Sequence, residues 1–332
     1  MSDGTRMRIL LLEHAGGPFV ETLVNRPVPP AGQLLVRICA SGVNPLDIKI
    51  RSGHAPHARQ PLPAVLGLDL AGVVEQAGPG VVDFQRGDPV FGLTGGVGGL
   101  QGSLAEFAAV DAQLVAKIPE GLSMREAAAL PLSFITAWEG LVDRAAVQAR
   151  QKVLVQGAGG VGHMAIQIAR AFGAEVFATS SARRQQEIEN LGATAIDYRA
   201  SSVEEYVSDH TAGRGFDLVY DTVGGSILDA SFHAVRRFGH VVSILGWGSH
   251  LLGPLSFRAA TYSGVFALLP LLTGEGRAHH GDLLREAARL VVAGQIRPKL
   301  DDLHFGFSSI DAAYQRVALG EAGGKVVVDL DS

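Results

Sequence analysis

Short hydrophobic runs, separated by stretches rich in proline and glycine, fill the chain from Arg8 to about Pro119. Runs of this length and spacing are typical of β-strands bounded by turns. The predicted strands cover residues 9–12, 34–38, 71–75, 89–93, 104–110 and 114–118. Short strands that follow one another in this way predict an antiparallel, barrel-like domain.

The pattern changes after Ser123. Ser123 and Glu126 have the spacing of a capping box, which predicts a helix over residues 124–130. Strand and helix patterns then alternate, with strands predicted over residues 152–156, 175–179, 195–197, 217–221 and 240–245, and helices over 163–172, 183–191, 203–210 and 227–235. Units of this length need parallel strands joined by right-handed crossovers, so we expect a doubly wound sheet. A helix over 282–293 and a strand over 325–330 follow it.

Composition narrows the possible partners. With 28 basic and 33 acidic residues in 332, the chain has a net charge of −5 and no basic excess for nucleic acid or an anionic membrane. The single cysteine, Cys39, excludes an internal disulfide and a multi-thiolate zinc site. The longest apolar run, 265–272, contains Pro270 and is shorter than the roughly 20 residues that a membrane helix needs. We therefore expect a cytoplasmic protein that binds neither nucleic acid nor membrane.

Glycine is the other outlier, with 42 residues. The run at 95–99 predicts a loose turn. A second glycine-rich segment follows the buried strand pattern at 153–156 and precedes a helix. In this context Gly157 permits a tight turn, Gly159 lets backbone approach a pyrophosphate, and Gly162 lets the helix pack closely on the strand. The segment predicts a dinucleotide-binding turn; the alternative is a glycine-rich turn without a ligand.

The residues at the end of the next predicted strand indicate which dinucleotide the site would bind. An NAD site usually places Asp or Glu there to hold the ribose hydroxyls, but residues 176–186 contain no acid. Ser180 and Ser181 are followed instead by Arg183 and Arg184. Hydroxyl and guanidinium groups suit a 2′-phosphate, so the sequence predicts NADPH rather than NADH. The alternative, for at least one of the two arginines, is that its side chain is merely exposed at the start of a helix and binds no phosphate.

Five motifs in order resemble the medium-chain dehydrogenase/reductase superfamily over nearly the whole chain. They occupy residues 40–47, 66–74, 84–90, 157–162 and 323–328. The resemblance implies an α/β protein in which a GroES-like β-barrel catalytic domain, residues 1–122 and 270–332, surrounds a Rossmann domain with a doubly wound parallel sheet, residues 123–269. It also implies a homodimer.

The resemblance also bears on metal chemistry. Zinc alcohol dehydrogenases place ligands where this chain has Asn44, Leu68-Asp69 and Leu132, and these residues cannot form a tetrahedral zinc site. The Asn-Pro-x-Asp sequence at 44–47 is similar instead to the zinc-independent, zeta-crystallin-like quinone oxidoreductases. That branch transfers hydride from NADPH to quinones or α,β-unsaturated carbonyls, whose conjugation spreads the developing charge so that a few hydrogen-bond donors suffice.

Further site residues follow from the resemblance. It places Asn44 by the nicotinamide ribose, Thr136 by the nicotinamide and Tyr198 beside the 2′-phosphate. The rest of the cofactor site would be formed by Gly160, Val161, Thr222, Val223, Leu245, Gly246 and Lys325. Asp47 is interpreted as a local backbone acceptor in a turn, with acid catalysis as the alternative.

One departure concerns the proton donor. Relatives carry a tyrosine shortly after the Asn-Pro-x-Asp motif, whereas this chain has His54 there and its first tyrosine is Tyr198. His54 or His57 could donate a proton near neutral pH, and solvent is the alternative donor. Two other functions stay open: reduction of a 2-enoyl thioester, and NADPH binding without catalysis.

Overall fold

The computed structural model describes residues 5–330, which form two compact units. Within these residues, unit 1 comprises 5–132 and 268–330, and unit 2 comprises Ser133–Ala267. The division after Leu132 leaves the helix that follows Ser123 in unit 1, whereas the sequence-based boundary placed this helix in the Rossmann domain.

Unit 1 is built around antiparallel strands. Its first stretch contains β1 (Arg6–Leu12), β2 (Phe19–Asn25), β3 (Gln33–Gly42), α1 (Pro45–Arg51), β4 (Ala64–Val65), β5 (Asp69–Ala77), β6 (Pro89–Leu93), β7 (Phe107–Asp111), β8 (Val115–Lys117) and α2 (Met124–Ala128). Strands β2, β1 and β4 form one sheet, and β3, β5, β6 and β8 form a second in which β7 also pairs with β3.

Unit 2 is a doubly wound parallel sheet. Helix α3 (Pro131–Trp138) crosses the boundary, and the next elements are a π-helix (Glu139–Arg144), β9 (Lys152–Gln156), α4 (Gly160–Ala171), β10 (Glu175–Ser180), α5 (Gln185–Asn190), β11 (Thr194–Asp197), α6 (Val203–Thr211), β12 (Phe216–Asp221), α7 (Ser226–Ala234), β13 (Val235–Ser243), α8 (Gly253–Ser256) and β14 (Thr261–Gly264). The strand order is β11-β10-β9-β12-β13-β14. The order reverses between β9 and β12, which is where open α/β sheets bind ligands.

The chain then returns to unit 1 through α9 (Leu269–Thr273), α10 (Arg277–Val292), α11 (Ile310–Ala318) and β15 (Val327–Asp329). Strand β15 pairs antiparallel with β3, with Val327 opposite Gly42. The C-terminal strand therefore completes the sheet that the first stretch began.

The predicted fold class is confirmed, and the strands predicted at 89–93 and 152–156 have the observed bounds. Strand β2 was missed because none of its residues is buried, so it lacks a hydrophobic face. The turn expected around Asp47 is wrong: residues 45–51 form helix α1, with Asn44 at the N-cap and Pro45 in the first turn. Helices α3 and α11 were also missed.

The turn expected at residues 95–99 is present at 98–99, where the Leu100 N–H donates to the Val97 carbonyl at 2.9 Å, but the start of the run is not loose. A β-carbon built on Gly95 would lie 1.8 Å from the carbonyl oxygen of Gln101, and one on Gly96 would lie 2.9 Å from that of Gly67. Both glycines are buried. They are therefore needed because neighbouring backbone passes too close for any side chain.

Among residues 5–330, no helix combines the length and apolar character needed to cross a membrane.

Candidate functional site

The predicted dinucleotide turn lies in unit 2, at the carboxyl ends of the strands where their order reverses. Gly157 has a φ of +87°, and a β-carbon there would lie 2.8 Å from the Val223 side chain. A β-carbon on Gly162 would lie 2.0 Å from the Gly157 carbonyl oxygen. Gly159 is exposed and has no heavy atom within 4 Å of the position of a β-carbon. The turn is therefore tight and helix α4 packs closely, while the backbone at Gly159 is open.

Two polar residues brace this turn, and the sequence analysis missed both. Gln156 is the last residue of β9, and Thr179, the last but one of β10, lies opposite it. Thr179 Oγ1 donates to Gln156 Oε1 at 2.7 Å and accepts from the Gly157 N–H at 3.1 Å. A buried glutamine directly after three apolar strand residues was the signal that could have shown its role.

The predicted 2′-phosphate residues meet at one corner of the sheet. Ser180 of β10 pairs with Asp197 of β11, and the Tyr198 N–H donates to the Ser180 carbonyl at 3.3 Å. Ser181 and Tyr198 therefore directly follow the ends of two adjacent strands. Arg183 is exposed, and no hydrogen bond or ion pair within residues 5–330 engages its guanidinium.

Arg184 differs from its neighbour. Its Nη1 donates to the Ala158 carbonyl at 3.2 Å, and its Nε lies 3.6 Å from Glu187 Oε2. One arginine is therefore attached to the glycine turn, and the other is open to an anion.

The other predicted cofactor segments in unit 2 are held by buried polar groups. Asp221, fully buried at the end of β12, accepts from the Val223 N–H at 3.1 Å and from Ser243 Oγ at 2.7 Å. Ser243 Oγ in turn accepts from the Leu245 N–H at 3.1 Å, just before Gly246. Asp221 thereby positions both the 222–223 and the 245–246 segments.

Thr222 and Thr136 are attached to the same strands. Thr222 Oγ1 donates to the Gln156 carbonyl at 2.7 Å. The Tyr220 hydroxyl donates to the Thr136 carbonyl at 2.7 Å, which connects helix α3 to strand β12.

In unit 1, Asn44 belongs to a buried polar cluster centred on Asp69. Asp69 Oδ1 accepts from the Leu132 N–H at 2.8 Å, while its Oδ2 accepts from Asn44 Nδ2 at 2.9 Å and from Lys325 Nζ at 2.8 Å. Lys325 Nζ also donates to Asn44 Oδ1. The three positions compared with zinc ligands thus do come together, around the Asp69 carboxylate, which also accepts from the ammonium group of a lysine. Sequence reasoning quoted Asp69 in a motif but assigned it no role.

Gly42 makes room for this cluster. A β-carbon at Gly42 would lie 3.0 Å from Lys325 Cε and 2.3 Å from the Ala128 carbonyl oxygen. The lysine therefore crosses strand β3 where a side chain is missing.

Asp47 lies beside the cluster and is 1% exposed. Its Oδ2 accepts from the Asn44 N–H at 2.8 Å, as a local backbone acceptor would, but its Oδ1 has no hydrogen-bond partner among the described residues. Burial raises the pKa of Asp47 to about 7; the Asn44 N–H opposes the rise, the charge of Asp69 adds to it, and that of Lys325 opposes it.

This raised pKa predicts a pH-dependent stability. Between pH 4 and pH 7 folded Asp47 holds a proton that the unfolded chain has released, so the free energy of unfolding falls as pH rises, by up to about 1.4 kcal/mol per pH unit. We expect Asp47→Asn to remove this component. At pH 8 the variant should be more stable than wild type by at least about 1 kcal/mol, measured by urea unfolding.

Asp301 offers a matched control in the same unit. Burial acts to raise its pKa, but hydrogen bonds from Arg316 and from the backbone of Leu303 and Gly323 bring it below the ordinary value. Asp301→Asn should therefore leave the slope between pH 5 and pH 7 unchanged. An Asp47→Asn variant that retains the wild-type slope would show that Asp47 is ionised in the folded protein.

The two histidine candidates lie after helix α1. His54 is exposed, and its Nδ1 lies 3.0 Å from Ser52 Oγ. Burial, together with the charge of Lys49, lowers the pKa of His57. No hydrogen bond or ion pair within residues 5–330 joins His54 to the Asp69 cluster.

Three family models match the chain. The alcohol dehydrogenase GroES-like domain matches residues 30–120, the C-terminal domain of alanine dehydrogenase/PNT matches 140–223, and a zinc-binding dehydrogenase model matches 191–328. The 2-methylene-furan-3-one reductase of Solanum lycopersicum is 36% identical over 318 residues, which cover 93% of this chain and 74% of that protein. The chain belongs to the medium-chain dehydrogenase/reductase superfamily.

Solved structures of this superfamily resemble the whole chain. An alcohol dehydrogenase superfamily protein from Novosphingobium aromaticivorans is 58% identical, with a TM-score of 0.96 over 98% of this chain and 100% of that one. The CurK enoyl reductase is 27% identical, with a TM-score of 0.85 over 98% and 99%. Other relatives are much longer: the chain spans 20% and 15% of the length of two mycobacterial polyketide synthases, to which it is 35% identical.

The zinc-binding dehydrogenase model raises the question whether this medium-chain dehydrogenase/reductase can hold zinc. Both carboxylate oxygens of Asp69 and the amide of Asn44 are engaged by Leu132 and Lys325. Leu68 and Leu132 have no ligating side chain, and within residues 5–330 no group of three His, Cys, Asp or Glu side chains is placed to bind a metal. This donor set does not fit a tetrahedral zinc ion.

Proposed function

We propose that this protein is an NADPH-dependent oxidoreductase that transfers hydride to a quinone or an α,β-unsaturated carbonyl without zinc. The observation that carries the proposal is the Asp69 cluster, where the Asn44 amide and the Asp69 carboxylate, at two of the positions compared with zinc ligands, are hydrogen-bonded to each other and to the Lys325 ammonium group. Without a Lewis acid an isolated ketone is hard to reduce, whereas conjugation delocalises the negative charge that hydride transfer creates. The tomato relative is named for such a substrate, a 2-methylene ketone.

The residues of unit 2 fit the proposed cofactor. The open backbone at Gly159 and the start of α4 can accept a pyrophosphate, because N–H groups at a helix start are unpaired and carry partial positive charge. Ser181, Arg183 and Tyr198 can hold a 2′-phosphate, because they combine hydroxyl donors with a guanidinium that no carboxylate within residues 5–330 neutralises. When bound, NADPH supplies the hydride.

The protein's own contribution to the reaction is orientation. Asp221 and Ser243 hold the segments at 222–223 and 245–246, and Gln156 and Thr179 hold the glycine turn. Because these groups are buried and hydrogen-bonded, the site is preorganised before a ligand arrives. Roles of Asn44 and Lys325 toward the nicotinamide half of the cofactor are part of the proposal.

A second candidate is reduction of a 2-enoyl thioester. The match to an enoyl reductase and to segments of polyketide synthases favours it. The chemistry is closely related, because a 2-enoyl thioester is also a conjugated carbonyl, so the substrate panel must separate the two.

We also propose that the protein is a homodimer. Strand β14 forms one edge of the six-stranded sheet, and Tyr262 on it is 39% exposed. An open edge presents unpaired N–H and carbonyl groups with which a second copy can pair.

NADPH oxidation measured with small quinones, small enones and crotonyl thioester tests the proposal. Turnover of a quinone or enone with NADPH, undiminished by a metal chelator, is the expected result. Preference for the thioester would support the second candidate. Tight NADPH binding without turnover of any acceptor would indicate a non-catalytic NADPH-binding protein, and zinc-stimulated alcohol oxidation would contradict the proposal.

A further inference from the structure

A basic cavity opens on unit 2 at the end of the sheet where strands β12 and β13 begin. Its volume is about 320 Å³. Arg214, Arg237, Arg258 and His233 line it, and no aspartate or glutamate does. The glycine turn lies at the other end of the sheet, where the parallel strands have their carboxyl ends, whereas the cavity lies at their amino ends. The cavity is therefore separate from the proposed cofactor site.

None of the three arginines has a carboxylate partner within residues 5–330. Arg214 Nε donates to the Thr211 carbonyl at 3.5 Å, and Arg258 donates to the carbonyls of Pro254 and His233 at 3.1 and 3.2 Å. Three guanidinium groups around one concavity repel one another, and an anion between them would relieve that repulsion. The protein as a whole has a net charge of −5, so this concentration of positive charge stands out.

Arg236 provides the contrast. It precedes Arg237 directly but does not line the cavity, and its Nε lies 2.6 Å from Asp217 Oδ1. Of two adjacent arginines, one is neutralised by a carboxylate and the other faces the basic cavity.

An irregular strand start places Arg237 at the cavity. Phe216 pairs with Val235 and Leu218 pairs with His240, so residues 236–239 of β13 lie opposite the single residue Asp217. Within this bulge Phe238 has a φ of +58° and is 76% exposed, and its N–H donates to the Arg258 carbonyl at 2.8 Å. A bulky residue rarely adopts positive φ, and bulges often redirect side chains at binding sites.

We propose that this cavity binds a small phosphorylated molecule. Guanidinium groups match phosphate oxygens in charge and geometry. Phe257, which lines the cavity and is 88% exposed, provides an apolar surface for the organic part of the ligand. A volume of about 320 Å³ is small for a binding site, which favours one or two phosphoryl groups over a dinucleotide. The proposal does not depend on the proposed function.

Calorimetric titration with inorganic pyrophosphate and with phenyl phosphate, at about 0.1 M salt and with saturating NADPH present, tests it. We expect at least one probe to bind wild type with a dissociation constant below 1 mM. Arg237→Ala should weaken that binding at least tenfold, and Arg214→Ala should weaken it in the same direction. Since Arg214 and Arg237 are exposed, the variants should keep the wild-type melting temperature.

Two matched variants separate this site from other anion binding. Arg236→Ala, outside the cavity, and Arg183→Ala, at the proposed cofactor site, should each change the probe affinity less than twofold. The proposal is overturned if neither probe binds below 10 mM, if Arg236→Ala costs as much as Arg237→Ala, or if Arg183→Ala abolishes binding.

Discussion

Replacing Lys325 by Met is expected to lower the free energy of unfolding by about 3–5 kcal/mol, because it leaves a buried carboxylate without its cation. Asp69 has no exposed side-chain area, and Lys325 has 10%. Among residues 5–330, the Asp69 carboxylate would then retain as donors the Leu132 N–H and the side-chain amide of Asn44. Urea unfolding of the variant and of wild type measures the difference.

Two further variants show whether the loss comes from an unpaired charge. The double variant Asp69→Asn with Lys325→Met removes both charges and should recover at least half of the stability. Asp111→Asn breaks the Arg277–Asp111 ion pair of the same unit, whose side chains are 21% and 22% exposed, and should cost less than about 1 kcal/mol. A loss below 1 kcal/mol for Lys325→Met would show that the Asp69 charge does not need this partner.

Arg183→Ala is expected to weaken NADPH binding by about 10- to 100-fold and NADH binding by less than twofold, since a charge-assisted hydrogen bond contributes about 1.5–3 kcal/mol. The reason is that NADH lacks the 2′-phosphate that we propose this exposed guanidinium binds, since no carboxylate within residues 5–330 pairs with it. Fluorescence titration of each dinucleotide gives the two dissociation constants without requiring turnover.

Arg184→Ala should behave differently. Because Arg184 donates to the Ala158 carbonyl inside the glycine turn, its removal loosens the part of the site that both dinucleotides share. NADPH and NADH should then weaken together. Equal losses of both dinucleotides in Arg183→Ala would refute the assignment of NADPH.

Local sequence patterns were sufficient to predict an element where the residues of that segment alone determine its structure. The strand at 152–156 is apolar until Gln156, and the glycines after it have spacing that only a tight strand-to-helix turn explains. The capping box at Ser123 likewise places a helix start correctly. A similar box at Asn44 was not recognised, because Asp47 was interpreted as a turn residue, so helix α1 was missed.

The same distinction applies to the candidate site: the parts that depend on neighbouring residues could be predicted, and the parts that depend on distant residues could not. The sequence by itself determined the doubly wound domain, the glycine turn and the acid-free corner at Ser180–Arg184, because each depends on neighbours within a few positions. Only the tertiary structure brought Lys325 to Asp69, which are 256 positions apart, and placed Arg237 at the basic cavity while Arg236 forms an ion pair with Asp217. Buried ion pairs and shared cavities depend on which distant segments the fold brings together, and no periodicity along the chain records that.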